Sequence, residues 1–160
     1  MLANRTFVAF SLLSILVGGL APRQAAADMV LNWNQVATDV LVANTSLQNP
    51  GMASRSLAMM NIAIYDGVNS MTPGAELFYN YGAGHSSPGL SGSAEAAASQ
   101  AAYTVLSAIY PDQQPMLDAA LATSLGMLPD DAARAAGVAQ GAFIGQRVVN
   151  HRRGDGYDSL

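Results

Sequence analysis

The sequence predicts an all-α fold, a helical bundle of about five helices. Apolar residues recur at the i, i+3, i+4 spacing of a helix through most of the chain. No alternating apolar run of strand length appears outside one loop rich in Gly, Ser, Pro and Tyr, and no parallel-sheet signature is present. A chain of 160 residues is long enough for one domain with a single core.

Residues 1–27 are predicted to be a secretory signal peptide. Arg5 provides a short basic region, residues 7–17 form an apolar run, and Ala-Ala-Ala at 25–27 resembles a cleavage site. The apolar run is shorter than the roughly 20 residues that a membrane-spanning helix needs, so cleavage is favoured over anchoring. We therefore expect a secreted or periplasmic protein, not membrane-bound after cleavage, whose helical domain covers residues 28–160.

The composition excludes several kinds of chemistry. The absence of Lys excludes Schiff-base catalysis and a P-loop phosphate clamp, and the absence of Cys excludes disulfides, thiolate catalysis and Cys-ligated zinc. Only His85 and His151 are present, so one chain cannot form a multi-His metal site. The formal net charge is −4 and becomes more negative if Arg5 and Arg23 leave with the signal peptide. We therefore expect no nucleic-acid partner.

The first two helices are predicted at residues 33–47 and 52–70. The apolar face of the first consists of Trp33, Val36, Ala37, Val40, Leu41 and Asn44. Asn-Pro-Gly at 49–51 is expected to end it. The second helix is apolar around almost its whole circumference, which is typical of a helix that meets partners on several sides. In so short a chain this pattern indicates that more protein covers the helix.

Residues 72–92 are predicted to form a long loop of the kind that is often functional or disordered. His85 lies within it, and we interpret this lone His in a polar loop as a solvated side chain rather than a ligand. A third helix is predicted from Ala94, with Ser93 as its N-cap and Pro111 as its stop.

The fourth and fifth helices are predicted at residues 113–124 and 130–152. Either Asp130 or Asp131 is expected to cap the fifth helix. The same helix carries a stripe of small residues at a spacing of four: Gly137, Gly141 and Gly145. Such a stripe allows another backbone to approach closely, and the neighbouring Gln and Arg residues favour packing in a soluble protein over a membrane helix pair. The stripe therefore predicts a close-packed seam.

Several polar residues are candidates for a functional site. Arg55 and Asp66 lie about three helical turns apart and cannot pair directly, whereas Asp66 and Asn69 can share one polar spot. These side chains either line a buried site or make hydrogen bonds and ion pairs between packed helices, and the second interpretation is favoured. His151 is expected to complement the dipole at a helix end, with anion binding as the alternative.

The remaining candidates are weaker. Asp155, Gly156 and Asp158 form only a fragment of a calcium loop, and Arg-Gly-Asp at 153–155 is a tripeptide that is common by chance. The Met59-Met60 pair is interpreted as core filler. No G-x-S-x-G motif supports serine catalysis. The sequence therefore assigns no catalytic, cofactor-binding or metal-ligating residue.

Three segments carry a family resemblance. They are Arg55-Ser-Leu-Ala-Met-Met-Asn-Ile-Ala-Ile-Tyr-Asp-Gly-Val-Asn69, Ala101-Ala-Tyr-Thr-Val-Leu-Ser-Ala-Ile-Tyr-Pro111 and Arg152-Arg-Gly-Asp-Gly156. In this order they resemble the N-terminal helical part of secreted vanadium-dependent haloperoxidases, which share a superfamily with PAP2-type acid phosphatases. The resemblance implies an all-α fold whose catalytic half holds vanadate or phosphate with a Lys, two Arg, a Ser-Gly-His segment and a further His.

None of those catalytic residues has a counterpart here, since Lys is absent and Ala83 stands where the Ser of Ser-Gly-His would be. The resemblance therefore implies an incomplete portion of a larger haloperoxidase-like fold, with vanadate expected only in a full-length parent. We expect no peroxidase or phosphatase activity from this chain alone, and a missing C-terminal catalytic half, or a second copy, as its partner. The alternative is a self-contained exported helical binding or interaction module.

Overall fold

The structure is a computed structural model that describes residues 21–44, 49–81 and 90–156, with side chains described from Asp28 onward. Its helices are α1 (Ala21–Ala43), α2 (Pro50–Ser70), α3 (Ala94–Ile109), α4 (Gln114–Gly126) and α5 (Ala132–His151). A single 3₁₀ turn, Pro111–Gln113, joins α3 to α4. No strand occurs within the described ranges, and the predicted all-α fold of about five helices is confirmed.

The third helix is the centre of the bundle. It packs against all four other α-helices, most extensively against α5 and α2. Its buried face is built mainly from small side chains: Ala96, Ala97, Ala98, Ser99, Ala101 and Ala102. Because these side chains are short, the neighbouring helices can approach the α3 backbone closely.

The glycine stripe of α5 is the seam against α3. A Cβ atom added to Gly137 would lie 2.3 Å from the carbonyl oxygen of Ser93, and one added to Gly141 would lie 2.4 Å from that of Ala97. Gly145 meets α3 in the same way. Real Cβ atoms do not approach a carbonyl oxygen so closely, so the stripe is a close-packed seam, as the sequence predicts.

The helix starts follow recognisable capping chemistry. The side chains of Ser93 and Asp131 accept hydrogen bonds from backbone N–H groups in the first turns of α3 and α5, which confirms both predicted caps. Asn49, expected to end the first helix, instead caps α2 by accepting a hydrogen bond from the Met52 backbone N–H at 3.1 Å. Pro50 then occupies the first turn, where its missing N–H costs no helical hydrogen bond.

The first helix differs from its predicted range at both ends. It begins at Ala21, upstream of the predicted start at Trp33, and it ends at Ala43, before the predicted end at residue 47. Its predicted apolar face is confirmed, because Trp33 and Val40 are fully buried. The predicted signal-peptide boundary after residue 27 falls within α1, and most of the signal peptide lies outside the described residues. Secretion therefore stays a prediction.

The second helix is covered on several sides by this chain itself. It packs against α1, α3 and α5, and Met59 and Met60 are buried, as expected for core residues. On one side of α2, Tyr65 remains 50% exposed to solvent. No described helix is long and apolar enough to cross a membrane.

Candidate functional site

Asp66 is the most connected buried polar residue of the second helix. Its carboxylate is fully buried and accepts hydrogen bonds from the backbone N–H groups of Phe78 at 2.6 Å and Tyr79 at 3.2 Å. It also accepts a short hydrogen bond from the hydroxyl of Tyr81. We call this arrangement the Asp66 clamp. It fixes the segment that follows α2, which agrees with the favoured structural interpretation of Asp66.

Asn69 acts on the same segment at a neighbouring point. Its side-chain amide donates to the backbone carbonyl of Glu76 at 3.0 Å. Asp66 and Asn69 therefore hold successive parts of one loop, through separate hydrogen bonds. Sequence reasoning placed the two side chains on one helix face, but it gave no indication of the loop they hold, because residues 76–81 carry no periodic pattern.

Tyr81 is a neutral donor within the clamp. Burial is the largest influence on its hydroxyl, and it raises the pKa far above the ordinary value. The hydrogen bond to Asp66 and the negative charge of that carboxylate raise the pKa of Tyr81 further. The hydroxyl therefore stays protonated and keeps donating to Asp66 across the neutral and mildly alkaline pH range.

A cavity of about 380 Å³ lies between the clamped segment and the last two turns of α5. We call it the Tyr79 pocket. Its described lining residues are Tyr79, Asn80, Tyr81, Arg147, Asn150 and His151. On α5, residues 147, 150 and 151 follow the i, i+3, i+4 spacing, so they share the helix face that borders the cavity.

The aromatic side of the Tyr79 pocket is a packed unit. The ring of Tyr79 lies 4.5 Å from that of His151 between centroids, at a tilt of 48°. It also meets the ring of Tyr81 edge-on at 6.3 Å, and Tyr81 in turn meets Phe143 at 6.1 Å. Edge-to-face and tilted contacts of this kind hold aromatic rings in defined orientations. One wall of the pocket is therefore preorganised.

His151 occupies the position that the sequence predicts, in the last turn of α5. The structure adds its contact with Tyr79, which sequence reasoning missed because the two residues are far apart in the chain. Arg147 and His151 are the basic groups of the lining, and none of the described lining residues is acidic. The lining therefore combines aromatic, amide and basic side chains, which are the groups that bind a small polar ligand.

A second constellation lies at the start of α2. The Arg55 side chain donates to both carboxylate oxygens of Asp155, from Nε at 3.1 Å and from Nη2 at 3.3 Å. Its Nη2 also donates to the backbone carbonyl of Arg152 at 3.0 Å. The adjacent Ser56 hydroxyl lies 2.6 Å from the hydroxyl of Tyr110 in a buried hydrogen bond. We call these contacts the Arg55 junction.

The Arg55 junction joins all three segments on which the family resemblance depends. Arg55 and Ser56 begin the first segment, Tyr110 lies near the end of the second, and Arg152 and Asp155 belong to the third. The prediction that Arg55 does not pair with Asp66 is confirmed, since each side chain has other partners. Sequence reasoning identified the three segments but not their meeting point.

The other candidates have structural partners or lie outside the described ranges. Asp131 caps α5, and Asp130 pairs with the side chain of Arg134. His85 and Asp158 both lie outside the described residues. Asp155, considered as part of a calcium-loop fragment, is paired with Arg55. Across the part of the chain that the structure describes, no group of three or more His, Asp or Glu side chains is placed to hold a metal ion.

A further groove, of about 370 Å³, runs between α1 and α2. It is lined by Val30, Asn61, Ile64, Tyr65, Val68 and Asn69. Beside it, the side-chain amides of Asn34 and Asn61 exchange reciprocal hydrogen bonds at 3.2 Å and 3.1 Å, which tie the two helices together. Its described lining is mainly apolar and includes no basic or acidic residue, so this groove is less suited to selective binding than the Tyr79 pocket.

Comparison with models of known protein families, with curated protein sequences and with solved structures gave no match to this chain. The resemblance to haloperoxidases and PAP2-type phosphatases therefore stays a prediction that depends on the three segments alone.

Proposed function

We propose that this chain is the N-terminal helical part of a secreted vanadium-dependent haloperoxidase-like or PAP2 phosphatase-like protein. In this proposal it is a scaffold that packs against a second helical half, and that half supplies the oxyanion site. The observation that supports the proposal is the Arg55 junction, where the three segments with family-like sequence make direct contact. Residues that form one connected junction are expected to recur together as a motif set.

The roles of the motif residues also favour a scaffold. Arg55 and Asp66 are both engaged in holding the frame of the bundle. An oxyanion site needs several cations and backbone donors directed at one point, with a His to ligate vanadium or attack phosphorus. The chain has no Lys. We therefore propose that any vanadate or phosphate chemistry belongs to the second half.

The surface of α1 and α2 supplies candidate area for such a partner. Three large apolar side chains on these helices are at least half exposed to solvent. They are Leu31 (69%) and Val42 (58%) on α1 and Tyr65 (50%) on α2. Exposed apolar groups of this size mark interaction surfaces when they cluster. The same residues would allow self-association of the chain in the absence of a partner.

Two measurements test this proposal. The purified chain, mixed with vanadate, hydrogen peroxide and bromide, is expected to give no bromination of a dione substrate. The reading frame that follows the Leu160 codon is expected to encode a Lys, a Ser-Gly-His segment and late Arg and His residues. Robust bromination by the chain alone would contradict the scaffold role, and a continuing frame that lacks the Lys and Ser-Gly-His pattern would contradict the family assignment.

A second candidate function is a self-contained exported helical binding module. The observation that favours it is the Tyr79 pocket, a cavity with a preorganised aromatic wall that includes His151 and with Arg147 in its lining. The reading frame separates the two candidates, because a binding module requires no catalytic sequence downstream. A frame that continues into the family pattern would exclude it.

A further inference from the structure

We propose that the Tyr79 pocket binds small aryl carboxylates, with the carboxylate held by Arg147 and the aromatic ring held against Tyr79. The inference goes beyond both proposed functions, because a scaffold and a binding module would each retain this cavity. It depends on the size, charge and rigidity of the pocket.

The size of the pocket limits the ligand to a small molecule. Its volume of about 380 Å³ lies near the lower end of the roughly 300–1,000 Å³ that small-molecule sites occupy. Arg147, Asn150 and His151 are exposed on α5, so the cavity opens to solvent on that side. A ring that carries one carboxylate is of a size to enter this space.

The charge of the pocket favours an anion. Arg147 and His151 contribute the basic groups, Asn80 and Asn150 contribute amides, and no acidic residue is among the described lining. The buried carboxylate of Asp66 accepts hydrogen bonds from two lining residues, Tyr79 and Tyr81, and from Phe78. Its negative charge acts on the Tyr81 hydroxyl and opposes an anion on that side, so the attraction must come from Arg147 on α5.

The backbone of α5 works against an anion at this place. The carbonyl end of a helix carries about half a negative charge, and the pocket borders the last two turns of α5. The attraction must therefore come from side chains. A planar guanidinium can donate two parallel hydrogen bonds to one carboxylate, so Arg147 is the group best suited to hold it.

The aromatic wall favours a ligand with a planar apolar body. The Tyr79 ring is half-buried and is fixed by His151 and Tyr81, and its backbone N–H is held by the Asp66 clamp. Because these contacts exist without ligand, little conformational entropy is lost when a ring packs against Tyr79. An inorganic anion or a short aliphatic acid would leave this wall unused.

The test is isothermal titration calorimetry of the purified chain with three probes. Benzoate has both ring and charge, benzamide keeps the ring without the charge, and acetate keeps the charge without the ring. We expect benzoate to bind at least ten-fold more tightly than either of the others. The Arg147→Gln variant should lose at least ten-fold in benzoate affinity.

The matched control is Arg153→Gln, which removes the same charge from an exposed residue just beyond α5 that is absent from the pocket lining. Its benzoate affinity should change by less than two-fold, and far-UV circular dichroism should give the parent spectrum for both variants. Equal losses in the two variants would overturn the role of Arg147. Benzamide or acetate binding as tightly as benzoate, or no benzoate binding, would overturn the ligand class. Each of these results leaves the reading-frame test of the proposed function unaffected.

Discussion

The guanidinium of Arg55 and the carboxylate of Asp155 meet side by side, although 100 residues separate them in the chain. Both side chains are mostly buried, with 24% of the Arg55 side chain and 23% of the Asp155 side chain exposed to solvent. Because Arg55 also donates to the carbonyl of Arg152, one side chain ties the start of α2 to the turn after α5. The neighbouring Ser56–Tyr110 hydrogen bond ties the same part of α2 to the end of α3.

We expect a measurable coupling between Arg55 and Asp155. In urea unfolding, Asp155→Asn should lower the free energy of unfolding by about 1 kcal/mol, because the Arg55–Asp155 ion pair is bidentate and partly buried. Arg55→Gln should cost more, since it also removes the donor to Arg152. The double variant should then reveal a coupling energy of at least about 0.5 kcal/mol.

Asp130→Asn is the control for that measurement. Asp130 also pairs with an Arg, but 88% of its side chain is exposed and the two residues share one helix end. Exposed pairs of this kind contribute little, so the change should stay within about 0.5 kcal/mol of the parent. Additive effects of the Arg55 and Asp155 changes would show that their contact does not stabilise the fold.

The Asp66 clamp predicts a larger effect. Asp66→Asn should lower the free energy of unfolding by about 3 kcal/mol, because an amide replaces an acceptor that serves three donors in a fully buried position. Asp118→Asn is the matched change at an exposed carboxylate that accepts from Tyr103. It should cost less than about 1 kcal/mol, and equal costs at the two positions would contradict the clamp.

Much of the helical framework could be predicted because its signals are local. A stripe at helical spacing places Trp33 and Val40 in the core, and Ser93 and Asp131 are capping residues immediately before a helix. Asn49 was wrongly expected to end a helix. The correct signal was present, since an Asn followed by Pro50 is also a favourable helix start.

The candidate site could not be predicted in the same way. The Tyr79 pocket and the Asp66 clamp both depend on residues 78–81, which have no periodic pattern and are positioned only by their tertiary contacts. The early start of α1 has a local cause, because Ala residues at 25–27 have the highest helix propensity. They were interpreted instead as a cleavage site, a prediction that the structure leaves untested.

The α3–α5 seam predicts opposite effects for the same substitution at two glycines. Gly141→Ala should lower the free energy of unfolding by about 1–3 kcal/mol, because its new Cβ would lie 2.4 Å from the Ala97 carbonyl oxygen. Gly126→Ala, at the end of α4 with nothing within 4 Å, should leave stability unchanged or raise it by up to about 1 kcal/mol. A higher melting temperature for Gly141→Ala would contradict close packing at the seam.

The raised pKa of Tyr81 predicts a loss of stability in alkaline solution. Below pH 10, the ordinary value, its hydroxyl is protonated in both the folded and the unfolded chain, and its full contribution is present. Above pH 10 the unfolded chain releases this proton while the folded chain retains it. The free energy of unfolding should therefore fall, by about 1.4 kcal/mol per pH unit from this residue.

Urea unfolding at pH 9, 10 and 11 measures this slope. Tyr103 also has a raised pKa, chiefly through its hydrogen bond to Asp118, and it adds to the loss in the parent chain. Tyr81→Phe removes the contribution of the Tyr81 hydroxyl. The free energy of unfolding of this variant should therefore fall less steeply between pH 10 and 11 than that of the parent chain. Tyr65→Phe keeps the Asp66 clamp intact and should retain the parent slope. If Tyr81→Phe also retains it, the Tyr81 hydroxyl is not held protonated by burial against Asp66.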